Sequence, residues 1–198
     1  MAKKRMPDLV GKIEEADSAA AAAARPHRKS RPIRALSFVS KPGDQPPLRI
    51  ICGAMIAGGL LRRDMRLAGA GARALASHTI ATWVKNQIKD RVDRTRPLAN
   101  GGKHPKIKPG RDSSKEETSF PSGHSAGAAA VASAIGRDYP EYRGAAYAAA
   151  GVIALAQVPR CSHYPSDVGA GIAIGIAADA ALDQALKAAR LAPAKAEG

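Results

Sequence analysis

The sequence predicts an all-α protein, a bundle of about five to six helices, from three observations. Apolar residues recur at helical rather than alternating spacing. Alanine, the strongest helix former, dominates stretches at 48–61, 66–84, 123–136 and 144–158, and a fifth from about 168 to 186. Short polar turns separate two of the pairs, Arg62-Arg63-Asp64 and Asp138-Tyr139-Pro140-Glu141. A chain of 198 residues has room for one domain with a sizeable core.

Ahead of the bundle, 1–47 reads as a basic N-terminal extension, partly helical or disordered. Residues 1–24 form a polar helix in which Asp17-Ser18 precede six alanines, with little to bury. The segment 25–49 is basic and broken by Pro26, Pro32, Pro42, Pro46 and Pro47, leaving a short amphipathic helix around Ile33 to Val39. A solvated tail is its simpler reading; contact with anionic lipid headgroups is the sharper one. The bundle proper spans 48–187, interrupted by a Gly-, Pro- and Lys-rich loop from Lys85 to Pro121, and 188–198 reads as a flexible C-terminal tail.

Charge narrows the partners. There are 31 Lys+Arg against 17 Asp+Glu, a formal net charge of +14, which calls for nucleic acid, anionic lipid or a phosphorylated substrate. Aromatics at 4% leave out the stacking platform of a single-strand binder, and no nucleic-acid partner is expected. Cys52 and Cys161 make neither a zinc spacing nor a disulfide framework. Met1 opens a polar, basic segment without the apolar stretch of a cleavable signal peptide. A membrane span needs roughly 20 predominantly apolar residues. Here 66–84 holds Arg73 and His78, and the last helix holds Asp179 and Asp183, so hydropathy alone favours a soluble bundle.

Helices joined by short turns run antiparallel. In an up-down bundle the end of 66–84, the start of 123–136, the end of 144–158 and the start of the last helix therefore share one face. Three polar clusters converge there. Lys89 and Arg96 lie seven residues apart, two helical turns; alone, such a run is usually a solvated helix end. Ser122 is a natural N-cap, Gly123 bares backbone amides where anions bind, and His124 is the first side chain above them. His163 and Asp167 lie four apart, a carboxylate placed to accept from one imidazole nitrogen and leave the other as a nucleophile. Each cluster has an ordinary structural explanation. Together they form the parts for covalent phosphoryl transfer.

These residues resemble the three-part signature of the type 2 phosphatidic acid phosphatase and vanadium haloperoxidase superfamily: Lys89, six residues, Arg96-Pro97; then Pro121-Ser122-Gly123-His124; then His163, three residues, Asp167. The resemblance implies that His163 attacks phosphorus, Asp167 fixes its tautomer, and His124 protonates the leaving alkoxide and then activates water. Lys89, Arg96, Ser122 and the Gly123 amide would hold the nonbridging oxygens, and the fixed cations would make metal and cofactor unnecessary. The third part departs from the pattern. Where the signature has Ser-Arg, this chain has Ala156-Gln157, and Arg160, three residues on, is the candidate to reach the phosphate alongside Gln157.

The resemblance also implies a small bacterial inner-membrane protein acting on a lipid phosphate such as phosphatidate or a polyprenyl phosphate. Seventeen Lys and Arg fall in 25–49 and 85–115, against eight in the opposite turns and the C-terminal tail, which by the positive-inside rule puts the active face in the cytoplasm. Two alternatives share the pocket: a catalytically weakened or inactive phospholipid-binding homologue, and a vanadate-dependent haloperoxidase.

Overall fold

Residues too small to hold neighbouring helices apart set the architecture. The structure is a computed structural model that describes residues 5–101 and 107–191. These form seven α-helices: α1 (Arg5–Ala24), α2 (Arg31–Val39), α3 (Gln45–Arg62), α4 (Met65–Lys89), α5 (Gly123–Asp138), α6 (Arg143–Leu155) and α7 (Pro165–Leu191). Helices α3 to α7 are the five stretches anticipated from alanine and spacing. α4 runs on through Lys89, whereas α6 stops at Leu155, before the turn that carries Gln157 and Arg160. Within the long link, a minimal antiparallel pair forms between β1 (Val92–Asp93) and β2 (Lys108–Pro109). Residues 102–106 of that link and 192–198 of the anticipated tail lie outside the described residues.

α5 is the central helix, packed against α4, α6 and α7. Every residue from Ser125 to Ala134 is buried, as expected of a helix covered on all sides. Its contact with α7 is backbone-close. A Cβ at Gly171 would lie 2.5 Å from the Ser122 carbonyl oxygen, and one at Gly175 would lie 2.4 Å from that of Ala126. This approach brings the two helix starts together, and the Ser122 amide donates to the Asp167 carbonyl at 3.0 Å. The tight α3–α4 turn uses Arg63 in the left-handed region (φ 56°) and Asp64 as N-cap, accepting from the Leu67 amide at 3.0 Å.

Large apolar side chains sit on the outside of the bundle. Ile50, Leu61, Trp83 and Leu155 are 62–86% exposed, while the core is mostly alanine with Leu48, Cys52 and Val131 among its larger members. Cys52 and Cys161 are both buried and free. The polar α1 buries more than its composition suggests: it packs against α7, and Asp17 is 1% exposed.

Candidate active site

After α6 the chain turns sharply, with Cys161 in the left-handed region at φ 54°. The amides of Ser162 and His163 both donate to the Gln157 carbonyl, at 3.1 and 3.3 Å. The turn presents His163, 4% exposed, towards the link between α4 and α5. Its Nδ1 lies 2.7 Å from the Ser119 carbonyl oxygen. A carbonyl only accepts, so Nδ1 carries the hydrogen and Nε2 keeps its lone pair. Nε2 faces Arg96 Nη1 at 3.5 Å. Burial pushes the His163 pKa down to about 4; Arg96 and Lys89 push the same way and Asp167 opposes them. The ring is therefore neutral at neutral pH, the form a nucleophile requires.

Asp167 is placed differently from the sequence expectation. Its Oδ2 is 3.7 Å from His163 Nδ1, too far for a direct hydrogen bond. That oxygen instead accepts from the Ser119 hydroxyl at 2.6 Å and the Tyr164 amide at 2.9 Å. The backbone of Ser119 fixes the tautomer, and Asp167 acts on the ring by charge. The carboxylate is drawn back by Arg94, which is fully buried and ion-paired with it. Arg94 also pairs with Asp17 at 2.6 Å and stacks over the Tyr164 ring, 4.4 Å from its centroid. Asp17 in turn accepts from the Ser166 amide at 3.0 Å and from the Ser166 hydroxyl. A continuous chain thus runs His163, Ser119, Asp167, Arg94, Asp17.

The other anticipated residues gather at the same end. Three carbonyls hold Arg96: Lys115 at 2.6 Å, Ser162 at 3.2 Å and Thr118 at 3.3 Å. Lys89 donates to the Thr118 carbonyl. Carbonyls orient these cations without neutralising them. Ser122 is fully buried and caps α5, accepting from the Ser125 amide at 3.4 Å and its hydroxyl at 2.8 Å. His124 pairs through Nε2 with Asp44, the N-cap residue of α3, at 2.8 Å. Beside it a groove of about 440 Å³ is bounded by Gly43, Asp44, Gly123 and His124.

Gln157 and Arg160 make their hydrogen bonds to other partners, while the Arg160 charge reaches His124. Gln157 is buried and donates Nε2 to the Ile153 carbonyl one turn back, at 2.9 Å. Arg160 Nη1 donates to Ser40 Oγ at 2.9 Å and reaches Gln157 Oε1 at 3.5 Å. Sequence reasoning gave no site role to Arg94, Ser119, Asp17 and Asp44. Arg94 lies inside the Lys89–Arg96 run and could have been flagged there. Asp17 and Asp44 carry no local signal, because their partners are 77 and 80 residues away. The assembled groups pair a neutral, oriented imidazole with two cations and a helix start, an arrangement for attack on an anionic electrophile such as a phosphoryl group.

The chain is 34% identical over 131 residues to the decaprenylphosphoryl-5-phosphoribose phosphatase of two Mycobacterium tuberculosis strains, covering 62% of this chain and 61% of the relative. The chain thus spans about three fifths of the length of the curated relatives it matches. The crystal structure of a transmembrane PAP2-type phosphatidylglycerolphosphate phosphatase from Bacillus subtilis superposes with a TM-score of 0.59 at 19% identity, covering 89% of this chain and 87% of that one. The family model of the PAP2 superfamily matches residues 70–189, which hold Lys89, Arg96, Ser122, His124, His163 and Asp167; the chain belongs to the PAP2 superfamily.

Proposed function

We propose that this chain is a membrane-bound phosphatase that hydrolyses a lipid phosphate through a phosphohistidine. The observation that carries the reading is His163: Nδ1 held by the Ser119 carbonyl at 2.7 Å, Nε2 unprotonated and facing Arg96 Nη1 at 3.5 Å. Nε2 attacks phosphorus, and the P–O bond to the lipid alcohol breaks. His124 gives its proton to the leaving oxygen, then takes one from the water that cleaves the phosphorus–nitrogen bond. Lys89, Arg96, Ser122 and the Gly123 amide stabilise the charge on the nonbridging oxygens. The fixed cations supply the charge stabilisation that a metal would otherwise give, so no cofactor is invoked.

Membrane association is supported by the inverted distribution of side-chain size, small residues between helices and large apolar ones outside. Among the described helices, Pro165–Ala189 is long and apolar enough to cross a bilayer, with a mean hydropathy of 1.2. Helix α2 carries Arg31 and Arg34 with Phe38 and Val39 exposed, a pattern suited to anionic headgroups. The lipid-phosphate class follows the activities of the similar proteins, with phosphatidate and polyprenyl phosphates the first substrates to try.

The test is turnover of those lipids by detergent-purified protein without divalent ions, with rapid-quench capture of a phosphoenzyme. The expected adduct survives alkali, is lost in acid, is absent in His163→Ala, and fails to form with vanadate present. Turnover that depends strictly on a divalent ion, or that persists in His163→Ala, overturns the mechanism. A second reading, a lipid-phosphate binder with weakened or absent turnover, is favoured by Gln157, a neutral amide bonded to its own helix. Tight binding with no phosphoenzyme would establish it.

A further inference from the structure

The proposed proton donor, His124, has a carboxylate partner that no part of the signature supplies. Asp44 stands 80 residues earlier, at the start of α3, and its Oδ1 lies 2.8 Å from His124 Nε2. A carboxylate only accepts, so Nε2 carries the hydrogen of that bond. The edge of the ring beside Nε2 is the one turned to the Asp44 turn: a Cβ on Gly43 would lie 3.4 Å from His124 Cδ2. Nδ1 is left over. It makes no hydrogen bond among the described residues, and the side chain, 23% exposed, borders the groove it shares with Gly43, Asp44 and Gly123. Burial opposes a positive charge on this ring, Asp44 favours it, and Arg160 and Arg96 oppose it. Asp44 is thus the group that keeps a protonated His124 within reach.

The turn that carries Asp44 is fixed from both sides. Ser40, fully buried, ends α2; its hydroxyl accepts from Arg160 Nη1 at 2.9 Å and donates to the Ser37 carbonyl at 3.0 Å. From there a single 3-10 turn, Lys41–Gly43, reaches Asp44, whose amide donates to the Lys41 carbonyl at 2.9 Å. Gly43 passes so close to α6 that a Cβ would lie 2.2 Å from Ile153 Cγ2, so the approach needs glycine. The Asp44 side chain itself stays 51% exposed. An ion pair that open adds little to stability, so the fold does not depend on it.

We infer that Asp44 is a positioning residue for the proton transfer: it holds His124 by Nε2 and steadies the imidazolium, so that Nδ1 is the atom that exchanges the proton. In the first step Nδ1–H protonates the lipid oxygen as the bond from that oxygen to phosphorus breaks. In the second the neutral Nδ1 takes a proton from water as the water oxygen bonds to phosphorus and the bond from phosphorus to His163 Nε2 breaks. Asp44 stays ionised through both. This inference rests on the phosphatase reading for the reaction, but not for the state of the ring.

The test varies how much the leaving oxygen needs a proton. In the same detergent micelles, kcat/KM is compared for dodecyl phosphate, whose alkoxide leaves only when protonated, and for a long-chain nitrophenyl phosphate, whose phenolate leaves without a proton. Asp44→Asn is expected to lower the first about tenfold, a fraction of what a general acid contributes, and the second by less than about twofold. In a His124→Ala background Asp44→Asn should change neither. Equal losses on the two substrates, or losses that add to those of His124→Ala, overturn the inference. A second measurement needs no turnover: nitrogen chemical shifts of His124 in His163→Ala, with and without Asp44→Asn. The hydrogen is expected on Nε2 in the first and shared between the two nitrogens in the second. The same tautomer in both overturns the inference. A tautomer that follows Asp44, in a protein whose parent hydrolyses neither phosphate, supports the inference and sinks the phosphatase reading alone.

Discussion

The two ends of the bundle each carry a cluster of charges, and the clusters are built on opposite plans. At the far end Arg73 pairs with Asp138 at 3.1 Å and Asp183 at 3.3 Å, while Arg137 pairs with Asp179 at 2.8 Å and Asp183 at 3.2 Å. Ser77 and Ser133 complete Asp179 at 3.1 and 2.9 Å. Both arginines of this cluster meet carboxylates, and the cluster ties α4, α5 and α7 together. At the near end Lys89 and Arg96 are held by carbonyls, and Lys85 has no bonded partner among the described residues. Three carboxylates there, Asp17, Asp44 and Asp167, are engaged by Arg94 and His124. A neutralised cluster holds helices; a cluster with surplus positive charge, held in place by neutral oxygens, is prepared for an anion.

The largest effect that should separate the two ends is His163→Ala, expected to lower turnover on the order of a thousandfold or more with the thermal midpoint in detergent little changed. Turnover within tenfold of the parent would place the nucleophile elsewhere. A paired test follows with Asp17→Asn and Asp179→Asn, two fully buried carboxylates in the two clusters. Asp17→Asn breaks a buried ion pair, costing about 3–5 kcal/mol of stability, and Asp179→Asn costs less, because its partner Arg137 is 36% exposed and screened by solvent. Only Asp17→Asn should also lower kcat, by about ten- to a hundredfold, because Arg94 then loses the carboxylate that holds it in place against Asp167 behind His163. Equal losses of kcat in both variants would erase the distinction between the clusters.

Much of the bundle and half of the near end could be read from the sequence, for identifiable reasons. Alanine content and short turns gave the helices, and up-down counting brought Lys89, His124 and His163 to one end. Those are local signals plus one topological rule. The chain from Asp167 through Arg94 to Asp17 is different in kind. Asp17 stands in a helix whose composition offers nothing to bury, and it is buried only because Arg94, 77 residues on, needs a second carboxylate. The spacing of His163 and Asp167 suggested a direct hydrogen bond, and the side chains are indeed neighbours. Competition from Arg94, Ser119 and the Tyr164 amide turns the carboxylate away, and no spacing rule contains that competition.

The pH profile tests whether the near end is as dry as its packing. Burial, with Arg96 and Lys89, holds the His163 pKa near 4 rather than 6.5, against the pull of Asp167. The neutral form, the one that attacks in the proposed mechanism, therefore persists as pH falls, and the acid limb of kcat/KM should have its midpoint at about 4. A midpoint near the ordinary histidine value would mean that water reaches the ring. Stability should move in the matching direction. Between those two values the unfolded chain takes up a proton that the folded chain refuses, so this group's contribution to stability is lost as pH falls through that window.

The smallest effect concerns Gln157, where the chain departs from its family signature. Charge-assisted hydrogen bonds are roughly twice as strong as neutral ones, which makes Gln157→Arg look like a gain in phosphate binding. The neighbourhood opposes it. Gln157 Oε1 faces Arg160 Nη1 at 3.5 Å, and replacing that oxygen by a guanidinium sets two cations against each other. Arg160 is anchored to Ser40 at 2.9 Å and cannot swing away freely. Gln157→Arg alone should therefore change turnover by less than about threefold, with a loss of stability from the repelling pair. Arg160→Ala alone should cost a few-fold at most, since its guanidinium is bonded to Ser40 rather than aimed at His163. The double variant removes the repulsion and leaves one guanidinium at the signature position, so it should exceed both single variants and the parent in kcat. Should Arg160→Ala instead cost a hundredfold, with the double variant recovering it, Arg160 leaves Ser40 for the phosphate when substrate binds. The near end would then hold one more cation in waiting, and its contrast with the far end would be sharper still.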